Sequence, residues 1–249
     1  MGIGGNPAHR ICLWSGPRNV STALMYSFAQ RGDTRVVDEP LYAHYLRVSG
    51  ASHPGREKVL AHQDSDGEEV VNEIILGPCS KPVLFIKNMA HHLVDVDWAF
   101  LSEVTNVILT RDPVDVLPSL ARKLGSVSPA DTGYEIQVKL ARHLDSAARP
   151  AVVLEARQLQ SDPPGVLGQL CESIGITYDD SMLHWPAGPR PEDGVWADIW
   201  YHDVHMTTGF APYRPKRTPF PPELLPLLNQ CRPLYSELLS RALTGNRVE

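Results

Sequence analysis

Cysteine is scarce in this chain. Four cysteines, at positions 12, 79, 171 and 231, are spread over 249 residues with no C-x-x-C pair. That spacing argues against a disulfide scaffold and a thiolate zinc site, and it suits buried thiols in a reducing compartment. Long hydrophobic runs are missing: no stretch approaches the ~20 apolar residues that a membrane-spanning helix needs. The opening MGIGGNPAHR has no apolar h-region, and Asn6 stands where an acylation signal wants Ser or Thr. Positive charge is also short, with 23 Lys and Arg against 29 Asp and Glu, a net charge of −6 and a pI near 5.9. That balance argues against a broad nucleic-acid surface but leaves room for a local basic pocket. The expectation is a soluble, cytoplasmic protein with no membrane or nucleic-acid partner and an open oligomeric state.

At 43% hydrophobic residues, the chain can bury a sizeable core, and its length suits one large α/β domain or two small ones. Residues 1–249 are read as one domain. Short apolar runs at 10–14, 35–37, 83–86, 106–109 and 151–154 are candidate buried strands. Helical patterns lie between them, at 21–30, 68–76, 113–123, 135–148 and 164–174, and a longer one at 222–243 closes the chain. This alternation predicts a parallel sheet with crossover helices. Pro118 is expected to kink the 113–123 helix. Residues 49–57 read as an exposed loop. Residues 185–221 are rich in Pro, Gly, aromatics and His. They are read as a lid over an acceptor site, with an irregular packed surface as the simpler alternative.

The most informative stretch is LWSGPRNVSTALM, residues 13–25. An apolar strand runs into Gly16-Pro17-Arg18, then into Asn19-Val20-Ser21-Thr22 at a helix start. Free backbone N–H groups at a helix N-terminus, two hydroxyls and a guanidinium converge on an anion in such a turn. The order resembles a Walker loop, yet Ser21 stands in the lysine place and Val20 in the second glycine place. The simpler reading is an N-cap by Ser21.

A second signal is LTRDPVDVLPS, residues 109–119. Arg111 ends a strand at the carboxyl edge of the sheet, where ligands bind, and its planar fork suits a phosphate. Ser119 adds a hydroxyl. The alternative is that Arg111 pairs with Asp112 or Asp115.

Together the two signals resemble the sulfotransferases that use 3′-phosphoadenosine 5′-phosphosulfate (PAPS). The similarity continues through Glu155, Asp162-Pro163 and the helix ending at Gly175, so it covers most of residues 9–176. It implies a three-layer, P-loop NTPase-like fold. It also implies PAPS as co-substrate, no metal, and a small-molecule acceptor with a hydroxyl or amine. By resemblance, Arg18, Ser21 and Thr22 contact the 5′-phosphosulfate, Asn19 and Val20 lend backbone, and Arg111 and Ser119 hold the 3′-phosphate. Thr207-Thr208-Gly209-Phe210, with Arg214, Lys216 and Arg217 nearby, stands in for a basic glycine loop near that phosphate. Many members place Lys in the first loop; Arg18 in its place acts by charge alone, because it does not give up a proton.

Sulfuryl transfer needs a base for the acceptor proton. Glu39, just past the second strand and 21 residues after Arg18, is preferred. It resembles the glutamate of family members with a Pro-Arg loop, although it can equally cap the next helix. His91 and His92, after the third strand, are the alternative, and Lys87 would then assist the sulfuryl group. Trp196, Trp200, Tyr201 and Phe210 are candidate acceptor-pocket walls. His202 and His205 lack the further ligands of a metal site. Competing readings are a P-loop kinase, for which Asp112 is the nearest metal-binding candidate, and a non-catalytic nucleotide-binding protein. Pyridoxal-phosphate transamination lacks a recognisable Schiff-base lysine.

Overall fold

Five short strands supply the frame: β1 (His9–Ser15), β2 (Thr34–Asp38), β3 (Val83–Met89), β4 (Thr105–Thr110) and β5 (Val152–Glu155). The computed structural model describes residues 8–215 and 218–244; the expectations on the opening residues and on Lys216 and Arg217 lie outside them. All strand pairs are parallel, in the order β2-β3-β1-β4-β5. Ile11, Cys12, Leu13 and Trp14 are all buried, because helices cover both faces of the sheet. One face packs Cys12, Trp14, Ile86 and Ile108 against α5 (Pro113–Leu124), α7 (Tyr134–Ser146) and α12 (Leu225–Leu239). The other packs Leu13, Phe85 and Leu109 against α1 (Ser21–Ala29) and α9 (Pro163–Ser173). The result is a three-layer, P-loop NTPase-like fold.

The remaining helices are short. They are α2 (Tyr42–Ser49), α3 (Arg56–His62), α4 (Gly67–Val70), α6 (Pro129–Thr132), α8 (Ala156–Ser161), α10 (Ala197–Trp200) and α11 (His202–His205). Several expectations change. The 68–76 helix is α4 running on into a π-helical turn, Val71–Ile75. Helix α5 carries Pro118 in its interior, as the expected 113–123 span requires. The C-terminal helix stops at Leu239 rather than 243, because the Leu243 N–H donates to the Val153 carbonyl at 2.9 Å and Ala242 bridges to β5. Helix α2 is new. No side chain caps its start, so the usual sequence signal is absent.

Chain order sets the crevice. The connection after β1 leads to the β2 side, and the one after β4 leads to the β5 side. Their loops therefore diverge above adjacent strand ends, the switch point where α/β sheets bind ligands. Gln137 holds this point together: its Nε2 donates to the Trp14 carbonyl at 3.0 Å and to the Leu109 carbonyl at 2.8 Å. Gly133 has a φ of +77°, and a Cβ there would sit 3.5 Å from Gly16 Cα. Gly133→Ala is expected to cost about 1–2 kcal/mol through the left-handed backbone. Gly168→Ala, within α9 and facing open space, should gain ~0.5–1 kcal/mol. Chemical denaturation of the two variants checks the opposite signs.

Candidate active site

The loop after β1 leads into an uncapped helix start. Val20, not Ser21, is the N-cap of α1, and no side chain caps this end. The simpler reading of Ser21 as the cap is thereby set aside; Ser21 is the first helical residue, and the first-turn N–H groups have no intrahelical acceptor. Arg18 holds a left-handed φ of +55°. Its Nε donates to Ser119 Oγ at 3.0 Å, and its Nη2 lies 3.4 Å from the exposed Asp203. Arg111 Nη1 donates to the Arg18 carbonyl at 3.1 Å, while its Nε is 3.9 Å from Asp115. Asn19 Nδ2 donates to the Leu109 carbonyl at 2.9 Å, tying the loop to β4. The two arginines therefore share one crevice, and Ser119 bridges the ends expected to be separate.

Beside the loop lies a buried charge cluster. Lys87 on β3 is fully buried. Its ammonium donates to Asp38 Oδ1 at 2.9 Å, to Tyr201 Oη at 2.5 Å and, in a short contact, to Glu39 Oε1. Three donors meet three acceptors, so none is left for a sulfuryl group in this arrangement. Tyr201 Oη also accepts from Trp196 Nε1 at 3.0 Å and faces Asp38 Oδ2 at 2.8 Å, where its single proton goes. The Gly194 N–H donates to Asp38 Oδ2 at 3.2 Å. Glu39 adopts a left-handed φ of +38°, and the α2 N-cap is Leu41 without a side-chain bond, so Glu39 does not cap that helix. Burial pushes the Glu39 carboxyl above its ordinary range, with Lys87 opposing and Asp38 reinforcing the shift. Strain held at Arg18 and Glu39, both on one cavity, is the pattern of a working site.

His91 and His92 line the same cavity. His92 is buried and stacks on Tyr42 and Tyr45, with ring centroids 4.9 and 4.8 Å away. Burial, then repulsion from His53, pushes His91 down to about 3; burial and His91 push His92 well below its usual range. Both rings are neutral at physiological pH. The cavity, of about 330 Å³, is bounded by the β1 loop, Arg111, Ser119, Glu39, the histidines and residues 196–211.

A sulfotransferase-domain family profile matches residues 9–242. The chain belongs to the sulfotransferase family. Among solved structures, it is similar to the sulfotransferase domain from the curacin biosynthetic pathway, at 15% identity and a TM-score of 0.53, covering 90% of this chain and 98% of that one. It is also similar to a sulfotransferase from Alicyclobacillus acidocaldarius, at 12% identity and a TM-score of 0.54, covering 94% and 97%. These likenesses show the fold. In sequence it is 41% identical over 229 residues to branched-chain-amino-acid aminotransferase-like protein 2 of Arabidopsis thaliana, and 42% identical over 230 residues to protein 1 of the same name. The alignments take in 92% and 91% of this chain but only 41% of each relative, so the chain spans about two-fifths of their length.

Several motif residues of this family member prove structural. Glu155 accepts from the Gln158 N–H and caps α8, and Asp162 accepts from the Gly165 N–H and caps α9. Asp112, the metal candidate of the kinase reading, caps α5 and lies 3.4 Å from Arg157. His202 is exposed, while His205 Nε2 lies 2.9 Å from Asp193, so the pair does not converge. Among the described residues, no group of three or more His, Cys, Asp or Glu is arranged for a metal, and no helix is long and apolar enough to cross a membrane. The described residues of the 185–221 stretch contribute both to the core and to the cavity wall. Trp185 sits in the core, while Trp196, Trp200, Tyr201, Thr207, Gly209 and Phe210 face the cavity. Sequence reasoning missed Asp38 as a site residue; its place in Asp38-Glu39, at a strand's carboxyl end, was the available signal.

The ion cluster has a stability consequence. Lys87→Met leaves two buried carboxylates without a cation, a loss of about 3–5 kcal/mol at neutral pH. Without Lys87 their folded-state affinity for protons rises above the unfolded value. The penalty is therefore present at high pH and relieved as pH falls through the folded pKa. Denaturation across pH should show the variant's deficit shrinking in acid; an equal deficit at all pH values would refute the charge argument.

Proposed function

We propose that this sulfotransferase moves a sulfuryl group from PAPS to a hydroxyl or amine of a small-molecule acceptor by in-line displacement. The observation that carries this reading is one cavity lined by two arginines, from the turns after β1 and β4, and by a buried carboxylate. The donor set fits the proposed nucleotide. The uncapped α1 start, Ser21, Thr22 and Arg18 face the place of a 5′-phosphosulfate, with Gly16 and Pro17 shaping the turn and Asn19 and Val20 lending backbone. Arg111 and Ser119 would take the 3′-phosphate. On binding, Arg18 exchanges Ser119 and the exposed Asp203 for phosphate oxygens, a favourable exchange because charge-assisted bonds to phosphate are the strong ones.

Glu39 is the base. Lys87 holds Oε1, and Glu39 lines the cavity, so Oε2 is the oxygen it offers to the acceptor. As the acceptor oxygen bonds to sulfur, its proton passes to Glu39. The bond between sulfur and the bridging oxygen breaks, and its electron pair leaves on the 5′-phosphate of adenosine 3′,5′-bisphosphate. Arg18 neutralises that oxygen by charge, without giving up a proton. The histidines are poorer bases, since burial pushes His91 down to about 3 and His92 well below its usual range, which leaves both rings little affinity for the acceptor proton. They serve instead, with Tyr42, Trp196 and Trp200, as uncharged walls for the acceptor skeleton. Lys87 acts on Glu39 rather than on the sulfuryl group.

Calorimetry with adenosine 3′,5′-bisphosphate tests the cradle. Arg18→Ala and Arg111→Ala should each weaken binding about 10- to 100-fold, the worth of a charged hydrogen bond of ~1.5–3 kcal/mol. Unchanged binding in both variants, or tighter binding of ATP by the native protein, would remove the nucleotide assignment. Glu39→Gln should retain that binding while PAPS-dependent turnover drops about 100- to 10,000-fold. Full turnover in this variant, with loss in His91→Ala or His92→Ala, would move the base to the histidines.

A further inference from the structure

We propose that Tyr201 is a positioning residue that sets the proton affinity of Glu39 through the buried cluster of Lys87 and Asp38. The inference rests on the reading of Glu39 as the base, and it extends that reading to a residue more than 160 positions away in the chain. Tyr201 follows α10 and reaches the strand ends from above. Its hydroxyl meets every member of the charge cluster: Lys87 Nζ at 2.5 Å, Asp38 Oδ2 at 2.8 Å and Oδ1 at 3.0 Å, and Glu39 Oε1 at 3.3 Å. The indole N–H of Trp196 donates to the same oxygen at 3.0 Å.

The arrangement has one cation for two carboxylates. Lys87 cannot neutralise both Asp38 and Glu39, and both are buried. The Tyr201 proton settles the difference by supporting Asp38, which leaves Lys87 to be shared with Glu39. Removing the hydroxyl takes a donor from Asp38 and deepens the negative potential felt by Glu39. Both changes favour a protonated Glu39. The other groups facing it are Tyr42 of α2 and His92 after β3, both neutral, with Arg18 across the cavity. None of these replaces the lost donor. Burial together with Asp38 and Glu39 holds the Tyr201 phenol well above its ordinary range, so it remains a donor throughout.

The source of the hydroxyl gives this a functional sense. Trp196 and Tyr201 belong to the segment that bounds the acceptor side of the cavity, and both are buried there with Tyr42 and Leu46. Gly194, in the same stretch, donates to Asp38 Oδ2 at 3.2 Å, so both donors that support Asp38 from this side come from the cavity wall.

The test reads Glu39 directly and needs neither nucleotide nor acceptor. In the full chain labelled with carboxyl-¹³C glutamate, the Glu39 resonance is the one absent from Glu39→Gln, and its shift is followed against pH. Tyr201→Phe should raise its titration midpoint by about one unit, a tenfold gain in proton affinity. Trp196→Phe, which removes the N–H behind the hydroxyl, should raise it less. A role confined to packing would lower the melting temperature of both variants and leave the midpoint where it is, and that result overturns the proposal. Should Tyr201→Phe fail to fold, an unmoved midpoint in Trp196→Phe overturns it equally. Loss of nucleotide binding in the native protein would instead sink the sulfuryl-transfer reading, with the titration result standing apart.

Discussion

A single ammonium, buried at the carboxyl end of the sheet, holds together parts of the chain that are remote in sequence. Lys87 comes from β3, Asp38 and Glu39 from the end of β2, and Tyr201 from the long C-terminal connection. Burying these charges separately would cost several kcal/mol each, so they are stable only as a set. The set explains why a stretch rich in Pro, Gly and aromatics stays on the sheet edge: Tyr201 and Trp196 are anchored to it by hydrogen bonds as well as by apolar contact. It also gives Glu39 a fixed position despite a backbone conformation that disfavours side chains.

The anion loop depends on a different constraint, the close meeting of β1 and β4 at the switch point. Gln137 binds carbonyls at both strand ends, Asn19 binds one of them again, and two glycines let the turn before α7 press against the loop. The loop is thus rigid where it meets the sheet. Its charged tips, Arg18 and Arg111, are held by exchangeable partners: an exposed carboxylate, a serine hydroxyl and a carbonyl. Rigid backbone with exchangeable side-chain partners is what a preorganised anion site requires.

Much of this was legible in the sequence because its causes are local. Strands buried on both faces must be continuous apolar runs, and all five were visible. The Gly-Pro-Arg turn and the strand-terminal arginine carry their chemistry in adjacent residues. Helix α2 was not visible, since it lacks a capping side chain and takes its stability from packing Tyr42, Tyr45 and Leu46 against the C-terminal segment. The end of α12 was misjudged for a similar reason: its helical pattern runs on, but a bond to β5 wins. Motif residues such as Glu155 and Asp162 are helix caps, a local role that the motif also satisfies.

Sequence alone determined the layered architecture, the family resemblance and the strand–turn–helix form of residues 13–25, because hydrophobic patterning and turn chemistry act between neighbours. Only the tertiary structure decided which groups Lys87 meets, how burial shifts Glu39 and the histidines in opposite directions, and that Tyr201 joins the charge cluster as well as walling the cavity. Those outcomes depend on burial and on charges brought together from distant strands, and proton affinity in a low-dielectric interior is a property of the assembled neighbourhood rather than of any residue's identity.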